Sequence, residues 1–351
     1  MMWIAGADAL DGALRNLSGG PVVRFFATQF DHAQWEGFHF YDLIFPLFIF
    51  LLGVAIPLSV GRLAEREGRA AALRRVVRRA GLMYLLGLFY YGGLSTPFDQ
   101  IRLLGVLQRL ALCYLGASLL FLYFRPRTLV GICAGLLVGY CALLTFVPVP
   151  GFGAGDFAET HNLSDWIDSR YLPGRKWRGD HDPEGLLSTL PALASCLLGV
   201  FAGLHLRDSA RTEKTKVLFL AAAGALALGL GLLWGLQFPV IKRIWTSSFV
   251  LVAGGWSALL LAGFYLVIDV WKYRTWCTPL VWIGANALTI YLISNVVDFK
   301  KLALRFVGGD LGLALDAAWP GLAGLTMALT SIILAGAICR FLYRRQIFLR
   351  L

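Results

Sequence analysis

From Leu43 to Val60 the chain runs almost without a polar break, and about 20 apolar residues are what a helix needs to cross roughly 30 Å of hydrocarbon. A run of that length spans a membrane. Windows of about 19 residues mark comparable stretches near 2–14, 43–61, 80–95, 103–124, 128–148, 186–205, 217–238, 247–270, 277–297 and 320–339. With 58% hydrophobic and 15% charged residues and a mean hydropathy of +0.68, the 351 residues hold too many long apolar runs for one soluble core. The expected fold is all-α, a polytopic bundle of about ten transmembrane helices forming one domain over 1–351, because only helices and closed barrels satisfy their own backbone in lipid. The first stretch, 2–14, gives only about 20 Å of helix, so a truncated first helix is expected. No cleavable signal is evident.

Charge fixes an orientation. If the amino terminus lies inside, 19 of the 32 basic residues fall on the cytoplasmic side with only five acids, most densely in a loop at about 62–79. The outer side then holds 12 basic residues against 16 acids, Asp8 among them, with external loops at about 15–42 and 148–184. The positive-inside rule therefore predicts both termini in the cytoplasm. The net charge of +11 is then a topology signal that also meets anionic lipid, and it does not imply nucleic-acid binding. Six cysteines without clustered spacing or a Cys-x-x-Cys pair predict neither a disulfide framework nor a zinc ribbon.

The segment Phe30 to Pro46 delivers His32, Trp35, His39, Tyr41 and Asp42 to the mouth of the 43–61 helix. Unsatisfied polar groups at a lipid edge cost several kcal/mol. One reading is an interfacial aromatic belt with Asp42 as a helix N-cap. The other is a reaction centre.

The 148–184 loop is long for a plain connection. Phe152, Phe157, Trp166 and Trp177 beside carboxylates suit either a sugar-binding wall or an interfacial lid. Asp182 and Glu184 precede the next span, where a helix dipole alone would favour them. Inside spans, Arg109 must face the bundle, as a structural pair or as a holder of a substrate anion. Gln108 and Asn286 can bond across helices. Lys242, Trp245 and Ser247 bring basic, aromatic and hydroxyl groups to a helix mouth on the His32 side. A Gly- and Ala-rich face such as Ala221 to Gly235 offers a surface for a homodimer.

Five motifs carry a resemblance. His32-x-x-Trp-x-Gly-Phe-x-x-x-Asp-Leu-Ile-Phe-Pro46, Leu107-Gln-Arg-Leu-Ala111, Asp182-Pro-Glu-Gly-Leu-Leu-Ser-Thr189, Trp245-Thr-Ser-Ser-Phe249 and Gly284-Ala-Asn-Ala-Leu288 together resemble the heparan-alpha-glucosaminide N-acetyltransferase family and its bacterial relatives. The resemblance implies a transmembrane acyltransferase that takes acetyl from cytosolic acetyl-CoA, as a co-substrate and not a bound cofactor, to an amino-sugar or polysaccharide acceptor on the outer side. It also implies a bacterial inner membrane as the location, and His32 as the catalytic histidine. The family's Leu-Asp-x-x-Arg-Gly-Phe-like lead into the first helix is missing before Met1, and an active-site Asn of that helix falls near Asp8.

Acyl transfer from a thioester fits these residues. An ammonium acceptor must lose a proton before it attacks, and histidine is suited to take it. His32 is the expected base, oriented by Asp42 or Asp182; attack by His32 itself, giving an acetyl-imidazole, is a second route. Trp35, Asp182, Glu184, Lys242, Trp245, Ser247 and Asn286 are the candidates for binding the acceptor or the oxyanion. Arg109 and Gln108 are the candidates for acetyl-CoA. Other readings are a transporter for an amino sugar or small solute, for which no inverted repeat is apparent, and an O-acetyltransferase of a surface polysaccharide. A metal site from His32, His39, His161 and His181 matches no helix motif, and none is expected.

Overall fold

The computed structural model describes residues 7–17 and 20–349. Among them there is helix and loop but no strand, only three isolated β-bridges. Among the described residues seven helical segments are long and apolar enough to cross a membrane: Phe40–Glu67, Val106–Tyr123, Pro126–Phe146, Thr189–Arg207, Glu213–Gly235, Ser247–Val270 and Leu322–Arg344. An eighth, broken span joins Thr275–Ala285 to Ala287–Val296 across a 62° bend. The expected stretch at 80–95 falls in helix Arg69–Tyr90, whose amino-terminal half carries five arginines and is too polar to pass as a span. The stretch at 2–14 is described only from Ala7, within helix Ala7–Asn16; residues 1–6 and the Asp8 side chain lie outside the described residues. The figure of about ten is thus approximate, and the all-α polytopic class stands.

The described helices run in chain order as α1 (Ala7–Asn16), α2 (Pro21–Gln29), α3 (Ile44–Glu67), α4 (Arg69–Tyr90) and α5 (Val106–Tyr123). Next come α6 (Pro126–Phe146), α7 (Leu163–Tyr171), α8 (Thr189–Arg207), α9 (Glu213–Gly235) and α10 (Ser247–Tyr265). The series ends with α11 (Thr278–Ala285), α12 (Ala287–Val296), α13 (Phe299–Val307), α14 (Gly309–Ala318) and α15 (Leu322–Arg344).

The chain divides into two compact units. The larger holds Gln34–Phe38 and Phe45–Trp271. Its α3 and α8 touch backbone to backbone. A Cβ on Gly53 would strike the Cys196 carbonyl, one on Gly199 the Phe50 carbonyl, and one on Gly203 the Val54 carbonyl. Gly199 and Gly203 form a Gly-x-x-x-Gly pair, the spacing that puts two small residues on one helix face. In lipid there is no hydrophobic drive between helices, so this close approach supplies the dispersion contacts that hold them. Gly224 and Gly231 of α9 meet Gly255 and Val252 of α10 in the same way, so part of the 221–235 face is engaged within the chain. At the other end of this unit Tyr140, Leu144, Val149, Leu163, Phe238, Ile241 and Ile244 gather as a core beneath the 147–188 loop, with Trp35, Phe157 and Trp166 packed on it.

The smaller unit holds α1, α2 and the residues that follow to Ala33, residues 39–44 and the chain from Lys272. Helix α15 is packed against α1, α11, α13 and α14, with Ile290, Phe299, Ala335 and Cys339 as a small core. All six cysteines are free, five of them buried.

Candidate active site

His32 and Asp42 form a tight couple within the smaller unit. Asp42 sits in a 3-10 turn, Phe40–Leu43, and is fully buried. One of its oxygens lies 2.7 Å from His32 Nδ1. The other accepts the backbone N–H groups of Ala33 at 3.1 Å and His39 at 3.0 Å. The cap and the reaction-centre readings of Asp42 thus describe one geometry: the turn is closed by a capping box with His39, and the same carboxylate reaches the imidazole. An ionised carboxylate only accepts, so the proton lies on Nδ1 and Nε2 is the basic nitrogen. The ring lies 4.4 Å from that of Tyr41, and its side chain is 48% exposed, open enough to meet a substrate. His39 donates from Nδ1 to the Asp31 carbonyl at 3.1 Å, and the Asp31 carboxylate accepts the His32 N–H at 2.7 Å and an ion pair from Arg15.

Beside this turn lies a cavity of about 640 Å³. Leu14, Val23 and Ala27 form its apolar wall; Arg15, Arg24, Asp31 and His39 bring charge and hydrogen-bonding groups.

The larger unit carries a second cluster. Arg102, nearly buried, makes a two-pronged bond to Asp182 at 2.8 and 2.6 Å and another to Glu184 at 2.6 Å. Its guanidinium lies over the rings of Tyr91, 4.5 Å away, and Trp177, 5.1 Å away. An antiparallel bridge from Arg102 to Gly174 brings the 172–177 loop to it; Gly174 has φ 79 and abuts the Ile101 carbonyl, a position that excludes a side chain. Burial opposes the charge of Arg102, but the Asp182 bond and the charge of Glu184 outweigh it and hold the guanidinium above its ordinary value. Burial pushes Glu184 up, against the pull of Arg102. Asp168 of α7, wholly buried, is pushed up to about 6 by burial, although Leu186 and Asp182 donate their N–H groups to it. Gly185 leaves the room that this carboxylate fills.

One turn into α5, Arg109 is fully buried. Its Nη2 donates to the Gly185 carbonyl at 3.2 Å and to Ser188 Oγ, and the guanidinium lies 5.0 Å from the Trp245 ring centre. Its Nε and Nη1 have no hydrogen-bond partner among the described residues. Gln108, also buried, donates to the Arg102 carbonyl at 3.4 Å and packs its amide on Gly87.

Trp245 and Ser247 are buried, not open to a cleft. Trp245 has φ 54 and donates to Ser195 Oγ at 3.1 Å; Ser247 donates to the Leu137 carbonyl at 2.6 Å; Thr246 caps α10. Lys242 is half-buried in the turn before them, and its carbonyl accepts the Trp245 N–H. Trp35 donates to the Phe157 carbonyl at 2.9 Å and lies 5.7 Å from the Arg243 guanidinium, which itself bonds Glu159 at 2.7 Å. Asn286 belongs to the smaller unit, at the break between α11 and α12. It donates to the Trp282 and Cys339 carbonyls, and its buried Oδ1 has no partner among the described residues.

His32 with Asp42, and Arg102 with Asp182 and Glu184, are therefore the two groupings of site residues. Arg102, Asp168, Arg243 and Glu159 were not among the expected site residues. For Arg102 a signal existed, since two acids one residue apart before an apolar helix demand a cation nearby.

The fold and these polar clusters define a multi-pass helical membrane protein with a histidine–carboxylate couple. Two curated relatives place it more closely. The heparan-alpha-glucosaminide N-acetyltransferase of Homo sapiens is 29% identical over 331 aligned positions, covering 77% of this chain and 49% of the human protein. That of Mus musculus is 27% identical over 328 positions, with the same two shares. No protein-family model matches the chain. The chain is similar to the heparan-alpha-glucosaminide N-acetyltransferases, in agreement with the resemblance of its five motifs, and spans about half the length of the curated relatives it matches.

Proposed function

We propose that this chain is a transmembrane acetyltransferase, moving acetyl from cytosolic acetyl-CoA to the amino group of a glucosamine-type sugar at the outer face. The couple of His32 with a buried Asp42, in a chain whose relatives bear an acetyltransferase name, is the observation that carries this reading. Asp42 holds the proton on Nδ1 and stabilises the imidazolium that forms when Nε2 accepts a proton. As the amine attacks the thioester carbonyl a C–N bond forms, and its proton passes to Nε2. Collapse of the tetrahedral intermediate breaks the C–S bond, and the departing CoA sulfur takes the proton back from His32. In the alternative route His32 attacks first and carries the acetyl group.

Arg109, whose Nε and Nη1 have no hydrogen-bond partner among the described residues, and its neighbour Gln108 are assigned to the donor. Glu184, the less buried of the two acids that Arg102 holds, is the carboxylate assigned to meet an ammonium group. Asp182, Lys242, Trp245 and Ser247 shape that wall by holding its loops, Trp35 adds an aromatic surface, and Asn286 lends a carbonyl oxygen. Both termini are assigned to the cytoplasm of a bacterial inner membrane, in one membrane domain that pairs as a homodimer.

A second reading, a solute transporter, is favoured by one observation: α11 and α12 form a bent, discontinuous span with a buried amide at the break, a feature of transporter substrate sites. Vesicles reconstituted with the chain, given labelled acetyl-CoA outside and glucosamine inside, separate the two. Label on the amine, lost in His32→Ala with folding intact, supports the transferase. Glucosamine passage without acetyl-CoA overturns it, and label on hydroxyl acceptors alone moves the reading to O-acetylation.

A further inference from the structure

Helix α4 carries five arginines, Arg69, Arg74, Arg75, Arg78 and Arg79, and no acid. None of the five makes an ion pair among the described residues. Glu65, close by in sequence, is taken by Arg207, whereas Arg211 and Lys216 have acids of their own in Asp208 and Glu213. The positive charge of α4 is thus left for something outside the chain to neutralise.

The arginines are not spread evenly round the helix. At 3.6 residues per turn, Arg74, Val77, Arg78, Gly81, Leu85 and Phe89 fall within about 60° of one line along it, and all six are exposed, Val77, Leu85 and Phe89 at 51%, 61% and 73%. The opposite line holds the buried residues Ala72, Val76, Ala80, Met83 and Gly87. Helix α5 packs on that side, where Gln108 meets Gly87 and the Tyr114 ring meets Arg79. In a membrane bundle an exposed Leu85 and Phe89 face hydrocarbon, so Arg74 and Arg78 continue a lipid-facing stripe at its polar end. Their aliphatic stems can lie along Val77 while the guanidinium groups turn to the headgroups. The apolar half of the helix, Gly81 to Tyr90, gives only about 15 Å, short of a hydrocarbon core of roughly 30 Å, which draws Arg78 to the edge of the lipid.

We propose that Arg74 and Arg78 form a binding site for the phosphate of an anionic phospholipid, whose acyl chains lie along Val77, Gly81, Leu85 and Phe89. The two arginines stand one turn apart, about 6 Å along the axis, a spacing at which two guanidinium groups can share the oxygens of one phosphate. This goes beyond the general attraction of a basic loop for an anionic surface, because it assigns one headgroup to one pair on one face. It rests on the multi-pass class of the fold and stands apart from the acetyltransferase reading.

The test is lipid binding to the purified full chain in detergent, read by native mass spectrometry with phosphatidylglycerol against phosphatidylcholine. Wild type should prefer phosphatidylglycerol about tenfold or more, since each arginine near an anionic headgroup is worth about fivefold. Arg74→Gln with Arg78→Gln should abolish that preference, and Arg74→Lys with Arg78→Lys should keep most of it, because lysine still meets phosphate as a point charge. Arg69→Gln with Arg75→Gln removes the same charge from the same helix off the stripe and should leave the preference intact. The single variants Arg74→Gln and Arg78→Gln, each expected to lose about fivefold, decide the matter if the double variant does not fold. No preference in wild type, or an equal loss in the Arg69 and Arg75 pair, overturns the site. Release of the lipid by millimolar inorganic phosphate or acetyl-CoA would assign the arginines to a soluble phosphate and overturn it as well.

Discussion

The Asp42 carboxylate reaches His32 Nδ1 at 2.7 Å with one oxygen while the other is held by the backbone N–H groups of Ala33 and His39, both of which precede its turn in the chain. The second oxygen fixes the first. Because both anchors belong to the 32–42 segment, the turn and the couple form together, and the imidazole is oriented by local folding as much as by the helices around it.

Replacing Asp42 by Asn places an amide N–H or a weaker acceptor against Nδ1 and favours the tautomer whose Nε2 carries the proton. In transfer assays Asp42→Asn should lower kcat by about 10²-fold or more, within the range seen when a histidine loses its orienting carboxylate, with the KM for acetyl-CoA little changed. An unaltered kcat in a folded variant would remove His32 as the base.

Arg102 is a different kind of residue, a buried cation that neutralises two acids. Removing one partner of a buried pair leaves the other charge uncompensated, at about 3–5 kcal/mol. Arg102→Gln should therefore lower the thermal midpoint sharply and loosen the 172–184 loop, seen as faster proteolysis there. Adding Asp182→Asn and Glu184→Gln should return part of the loss. If the triple variant is no more stable than Arg102→Gln, the ion cluster is not what holds the loop.

The apolar runs made the helical bundle legible, because a span announces itself by length and composition alone. Residues 30–46 were legible for a related reason: His32 and Asp42 in an apolar setting call for a partner, and each is the other's. Arg102 and Asp168 were not. Their partners lie 80 and 18 residues away, and no periodicity links a charge before one helix to a loop before another. Trp245 and Ser247 misled in the opposite direction, since a polar sequence at a helix mouth looks open when it is folded inward around a positive-φ tryptophan. The cavity beside α2 depends on which way a short helix turns Arg24, and sequence carries only a weak trace of that.

The α3–α8 contact predicts steep sensitivity to a single methyl group. A Cβ on Gly199 would overlap the Phe50 carbonyl, and backbone gives way less easily than a side chain. Gly199→Ala should lower stability by about 1–3 kcal/mol, the usual toll of overpacking. Gly139→Ala, whose Cβ would meet nothing within 4 Å, is the control and should be neutral or slightly stabilising. Similar thermal midpoints for the two variants in detergent would show that α3 and α8 are not in backbone contact.

Asp168 gives a pH dependence with a definite sign. Its carboxyl is raised by burial from 3.8 to about 6, so the folded chain holds this proton more tightly than the unfolded chain does. Between those two values the folded state binds more protons, and stability must fall as pH rises. Below about pH 4 the group is protonated in both states and has no effect; above about pH 6 it is ionised in both and its destabilisation is complete. A rise of this size corresponds to roughly 3 kcal/mol at most, reduced by any relaxation of the loop. Asp168→Asn keeps an oxygen that can accept the Leu186 N–H but cannot ionise, so the decline in thermal midpoint from pH 4 to pH 6 should be shallower in the variant than in wild type. Parallel profiles would mean that Asp168 titrates outside this window.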